Sequence, residues 1–183
     1  MADGRPPMDP RTDEATPDQI EAARAQGAAY GSALKLMVER VAQTGAEQRA
    51  GDYLVGYAVE EAEGMYAPAD GQLQWQEPGE ENCHLEVTVR DGGDGRFVPG
   101  LHVLATLIEG SGAEVGTYEQ PMLWHPMLYH YGRNWRIPAD GTYTLRVHID
   151  PAPFMRHDRV NGRRFTEPVD CQFTGVEIST GSS

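Results

Sequence analysis

The sequence predicts an all-β, immunoglobulin-like β-sandwich with an added N-terminal α-helix, on three observations. Six to eight short segments alternate apolar and polar residues between Gly and Pro turns. One stretch near the N-terminus instead repeats apolar or small residues in steps of three and four. Neither an internal repeat nor the strand–helix alternation of a βαβ unit occurs.

Residues 1–15 are polar, hold three prolines and lack any apolar period, so they are expected to be disordered. The helix is placed at 16–45. Thr16 can cap it, Pro17 suits its first position and Asp18 suits the positive end of its dipole. Its stripe is Ile20, Ala23, Gly27, Tyr30, Leu34, Met37 and Val41, and Gly45 is the expected stop. Each glycine weakens an isolated helix by about 1 kcal/mol and admits another backbone closely. Packing on its own domain is the favoured role, with dimerisation the alternative.

The sandwich domain is placed at 52–179. Tyr53–Val59, Gln72–Gln76, His84–Arg90, Leu101–Glu109 and Gly141–Ile149 read as strands, and 165–178 as one or two more. Residues 60–66 read as an acidic loop. Residues 119–135 read as a long ordered loop with strand-like pieces, because two prolines break any clean period.

Composition narrows the function. The 183 residues carry 28 acids against 15 bases, a formal charge of −13. That excludes a basic nucleic-acid-binding face and suits a protein that attracts cations. No apolar run is long enough to span a membrane, and the N-terminus is not a signal peptide, which leaves a cytoplasmic location open. Cys83 and Cys171 are too few for a disulfide scaffold, and whether they pair is left open. The serine-hydrolase, zincin and phosphate-loop signatures are absent.

The chemistry concentrates in three places. His84 and Glu86 are two apart on a strand and so share a face. The segment Glu119–Gly132 holds Met122, His125, Met127 and His130. His148 lies on the polar face of a later strand. Each has an ordinary reading too: a surface pair, core-filling methionine, a hydrogen-bonded histidine. Together they suit copper, which takes imidazole, carboxylate and, as Cu(I), thioether. Iron(II) and zinc accept much the same set. His102 and His157 read as non-ligands.

Several of these pieces occur in one order: Val55-Gly-Tyr-Ala-Val59, His84-Leu-Glu86, Gly116-Thr-Tyr-Glu-Gln-Pro-Met122, His130-Tyr-Gly132, Tyr143-Thr-Leu-Arg-Val-His148 and Pro151. From about 53 to 178 the chain resembles the periplasmic iron-transport proteins that accompany bacterial high-affinity iron permeases. The resemblance implies an immunoglobulin-like fold, a periplasmic or other extracytoplasmic location, a homodimer and a membrane iron permease as partner. It implies a copper site, with iron(II) as a second metal, held by His84, Glu86, Met122, His130 and His148. His125 and Met127 are extra donors beside that set. The Met-to-His spacing is one residue longer than the pattern, and the N-terminal helix is not part of it.

The expected function is therefore non-enzymatic metal binding in iron acquisition or metal delivery. A structural immunoglobulin-like module without a metal, and a copper-dependent ferroxidase, are the alternatives.

Overall fold

The computed structural model describes residues 11–180. Most of the stretch expected to be disordered, residues 1–10, lies outside the described residues. Residues 11–15 pack against a later loop, where the Arg159 N–H donates to Asp13 Oδ1 at 2.9 Å.

Helix α1 runs Pro17–Arg40. The Thr16 hydroxyl accepts from Gln19 N at 3.4 Å, and the Gln19 side chain accepts from Thr16 N at 2.8 Å. This capping box satisfies two of the helix's unpaired N–H groups. Of the seven stripe positions Ile20, Ala23, Gly27 and Met37 are buried and Tyr30 and Leu34 partly so, whereas Val41 lies past the helix end and is exposed. The helix ends before Gly45, which instead sits in a strand.

Eleven strands follow among the described residues: β1 Thr44–Ala50, β2 Tyr53–Glu60, β3 Met65–Ala69, β4 Gln72–Gln76, β5 Cys83–Asp91, β6 Val103–Glu109, β7 Glu114–Glu119, β8 Met122–Trp124, β9 Tyr129–Trp135, β10 Gly141–Ile149 and β11 Val169–Ile178. One sheet has the order β1-β2-β5-β9-β8, the other β11-β10-β6-β7, and β3-β4 form a separate hairpin. Every pairing is antiparallel.

The two larger sheets face each other as a sandwich. Val55 and Val59 of β2, Leu85 and Val87 of β5, and Tyr131 and Trp135 of β9 meet Leu107 of β6 and Leu145, Val147 and Ile149 of β10 in one core. Burying each aliphatic side chain contributes about 1.5–3 kcal/mol. Their period of two sends the intervening residues to the outer faces. On the first sheet these are His84, Glu86, His130, Gly132 and Asn134; on the second they include Arg146 and His148. Helix α1 lies on the first sheet's outer face, with Gly27 against Asp94, Gly31 against Arg90 and Val38 against Gly45.

Three segments depart from the sequence reading. Residues 44–50 form an edge strand although Thr-Gly-Ala-Glu-Gln-Arg-Ala has almost no apolar content, because pairing with β2 supplies its order. Residues 65–69 pair with β4 through a two-residue turn, where Asp70 and Gly71 have φ of 51° and 77°. The stretch read as a long loop is mostly strand: β8 and β9 form a hairpin around residues 125–128. Cys83 and Cys171 are both free thiols.

Candidate metal centre

Strands β5 and β9 build the site. Their register sets His84 opposite Asn134 and Glu86 opposite Gly132, with His130 one place further along β9's outward row. His84, Glu86 and His130 each offer one ligand atom, and these atoms lie within 4.8 Å of one another. Among the described residues no other group of three His, Cys, Asp or Glu side chains converges in this way. Two ligands of one ion with bonds of about 2.0–2.3 Å stand roughly 3–4.6 Å apart, so the spacing fits a single ion.

All three side chains are buried, at 1%, 6% and 4% exposure respectively. Burial without partners is costly, about 1–3 kcal/mol per polar group. Glu86 Oε2 and both ring nitrogens of His130 have no hydrogen bond. His130 Nε2 does lie 3.3 Å from Glu86 Oε1, close but not aligned as a hydrogen bond. An ion would satisfy the free imidazole lone pair of His130 and the unpaired carboxylate oxygen of Glu86.

Asn134 fixes the third ligand. Its Oδ1 accepts from Glu63 N at 3.2 Å and lies 2.8 Å from His84 Nδ1, while its Nδ2 donates to Glu63 O at 2.7 Å. Since Oδ1 can only accept, His84 carries its proton on Nδ1 and keeps the Nε2 lone pair free. That nitrogen faces the space over Gly132. A Cβ on Gly132 would lie 3.1 Å from His84 Nε2, 3.1 Å from His130 Cδ2 and 3.0 Å from Leu85 O. A side chain here would have to displace these neighbours by a few tenths of an ångström, so glycine keeps the space between the two imidazoles open.

The electrostatics follow from burial. Removal from water lowers the pKa of His130 to about 3, helped by His84 and His125 nearby. Burial also lowers His84, against the opposing effect of its bond to Asn134. Burial raises Glu86 to about 8, with Glu60 and then Glu63 adding to the rise. Glu60 is itself raised to about 7 by burial and by Glu63. At neutral pH both imidazoles are therefore unprotonated donors, and Glu86 holds a proton that an arriving cation must displace.

The structure brings together three of the six expected ligands. Met122 pairs with Tyr131, a core residue, so it shares Tyr131's face and not that of His130, and it is 48% exposed. Leu123, opposite His130, takes the outward position. His125 is exposed in the β8–β9 turn, where its Nδ1 accepts from Met127 N at 3.2 Å. It lies near enough to influence His130 but is not one of the converging donors. His148 is on the outer face of the opposite sheet, across the core, bonded to Asp170 at 2.7 Å and to Asp150 at 3.3 Å.

Sequence reasoning missed Asn134. Its signal was the outward alternation His130, Gly132, Asn134, which the loop reading of 119–135 concealed.

A family model described as "Fe2+ transport protein" matches residues 40–177. The chain belongs to this Fe2+ transport protein family. FetP of the uropathogenic Escherichia coli strain F11 shares the fold, with a TM-score of 0.57 at 21% identity over 73% of this chain and 95% of that one. A copper-bound glutamate-to-glutamine variant of FetP has a TM-score of 0.58 at 19% identity, covering 75% and 94%. Copper-reconstituted P19 from Campylobacter jejuni has a TM-score of 0.59 at 16% identity, covering 73% and 95%. Identities this low establish a shared fold. No curated protein sequence matches the chain. All but the last residue of α1 precedes the matched part of this Fe2+ transport family member.

Proposed function

We propose that this protein binds one transition-metal ion per chain, copper or ferrous iron, through His84, Glu86 and His130, and carries it in iron acquisition without catalysing a reaction. The observation that supports this most is the convergence of buried ligand atoms on those three residues, with Glu86 Oε2 and both ring nitrogens of His130 lacking a hydrogen bond. Two imidazoles and one carboxylate on one side of an ion suit iron(II) as well as Cu(II), and leave coordination positions open. Zinc would accept the same donors. Neither Met122 nor a thiolate joins the set, so the site favours imidazole- and oxygen-binding ions over Cu(I).

The family match and the copper-bound relatives favour this reading. The proposal extends to an extracytoplasmic setting, a homodimer and hand-over to a membrane iron permease. The chain itself holds no helix long and apolar enough to cross a membrane among the described residues. Electron paramagnetic resonance of Cu(II)-loaded protein tests the donor set. Two equatorial imidazole nitrogens, reduced to one in His84→Ala, are expected. A spectrum without imidazole coupling would overturn the proposal.

A further inference from the structure

Strand β9 is poorly supported where it carries His130. Its ladder with β5 ends at Val87 and Tyr131. One β9 residue earlier comes His130, then Tyr129. On the other side β8 offers only three residues.

The hydrogen-bond phase shows which way Tyr129 faces. Gly132 N bonds Pro121 O at 3.0 Å, and His125 N bonds Leu128 O at 3.2 Å. Bonded pairs alternate along an antiparallel ladder, so Trp124 and Tyr129 form a non-bonded pair. The Tyr129 carbonyl therefore points away from β8, towards β5. There Val89 would face it, but residues 96–98 pair with β5 at that point instead: Arg90 bridges Phe97, and the Val89 carbonyl accepts from Val98 N at 2.9 Å.

Helix α1 fills the gap. The Tyr30 hydroxyl donates to the Tyr129 carbonyl. The Tyr30 ring stacks on Phe97 at 5.7 Å between centroids, and Phe97 contacts the rings of Tyr129 and Tyr131 at 6.3 and 5.3 Å. The helix is held at this spot by a tight contact, since a Cβ on Gly27 would lie 1.8 Å from Asp94 O.

We propose that Tyr30 is a positioning residue for the metal centre: through the Tyr129 carbonyl it holds the end of β9, and so sets the His130 ring relative to His84 and Glu86. The helix that carries it is thereby part of the site's support, although it lies outside the family's matched region. The metal-affinity consequence rests on the function proposed above; the positioning itself does not. Groups that orient ligands typically change metal affinity by about 10–100-fold when removed.

The test is Tyr30→Phe, which keeps the stack on Phe97 and removes only the hydroxyl, with exposed Tyr66→Phe as control. Two readouts are taken: ring nitrogen NMR shifts of His130 in the metal-free protein, and the Kd for Cu(II). Shifted His130 signals with a Kd weakened about tenfold are expected in Tyr30→Phe, with neither change in Tyr66→Phe. Unchanged His130 signals, with or without a lower melting temperature, would overturn the inference and mark Tyr30 as structural only. If wild type bound no copper, the functional proposal would fall, and the metal-free His130 signals would still decide the positioning role.

Discussion

Among the described residues, a histidine–carboxylate cluster lies on each outer face of the sandwich, and the two differ in what satisfies them. On the second sheet, Asp150 stands between His102 at 2.6 Å and His148 at 3.3 Å, and Asp170 holds the other His148 nitrogen at 2.7 Å. Bonds to Asp170 and Asp150 raise the pKa of His148, against a smaller opposing effect of burial. These are partly to largely exposed groups paired with one another in solvent. On the first sheet the same residue types are buried, their imidazole pKa values fall and donor atoms stay unpaired. Composition alone does not distinguish the two clusters; burial without partners sets the proposed metal centre apart from the surface network.

The largest expected effect that would break this contrast is from His130→Ala. Removing one of three ligands should weaken Cu(II) binding by about 100-fold or more, read by calorimetric titration. His148→Ala should leave the affinity within about twofold. Next comes Asn134→Ala, which frees the His84 tautomer and detaches Glu63. A loss of about 10–100-fold in metal affinity is expected, with His84 itself intact.

A smaller, graded effect should come from pH. Below about 8 Glu86 holds a proton that the metal displaces, whereas His130 is unprotonated above about 3. Affinity should then rise with pH by up to about tenfold per unit and level off near pH 8, with proton release seen in buffers of different ionisation enthalpy. The metal-free fold should show the converse. A carboxyl raised above its unfolded value stabilises the folded state below that value, and the contribution is lost as pH rises through the folded one. Stability linked to Glu86 should therefore fall between about pH 4.5 and 8, and Glu86→Gln should flatten that slope. His148, also raised, contributes stability that is present below its unfolded value and lost above its folded one.

The smallest effect is expected from Asp170→Ala. Exposed ion pairs contribute about 0–1 kcal/mol, so thermal unfolding should shift little and metal uptake not at all.

The sequence made the sandwich legible because its central strands alternate cleanly: 53–59, 84–90 and 141–149 each carry a core-facing row of apolar residues. It left β1 unread, since that edge strand owes its order to β2 rather than to its own residues. His84 and Glu86 were legible from a two-residue offset within one strand. His130 was recognisable as a donor, but its strand was not, because Pro121 and Pro126 interrupt the period around β8. The face that Met122 takes depends on the β8–β9 hairpin register, which spacing alone does not give. The alternation of 141–149 gives His148 an outward face, as the structure has it. Which of the two outer faces it joined depended on sheet order, a property of pairing between distant segments.

The central claim is that His84, Glu86 and His130 hold one ion. Its most direct test is stoichiometric titration of the metal-free protein with Cu(II) and, anaerobically, with Fe(II), alongside His84→Ala, His130→Ala and His148→Ala. One ion bound per chain in wild type and His148→Ala, and loss of that site in the other two, is the predicted result. Equal uptake by wild type and His130→Ala would contradict the account.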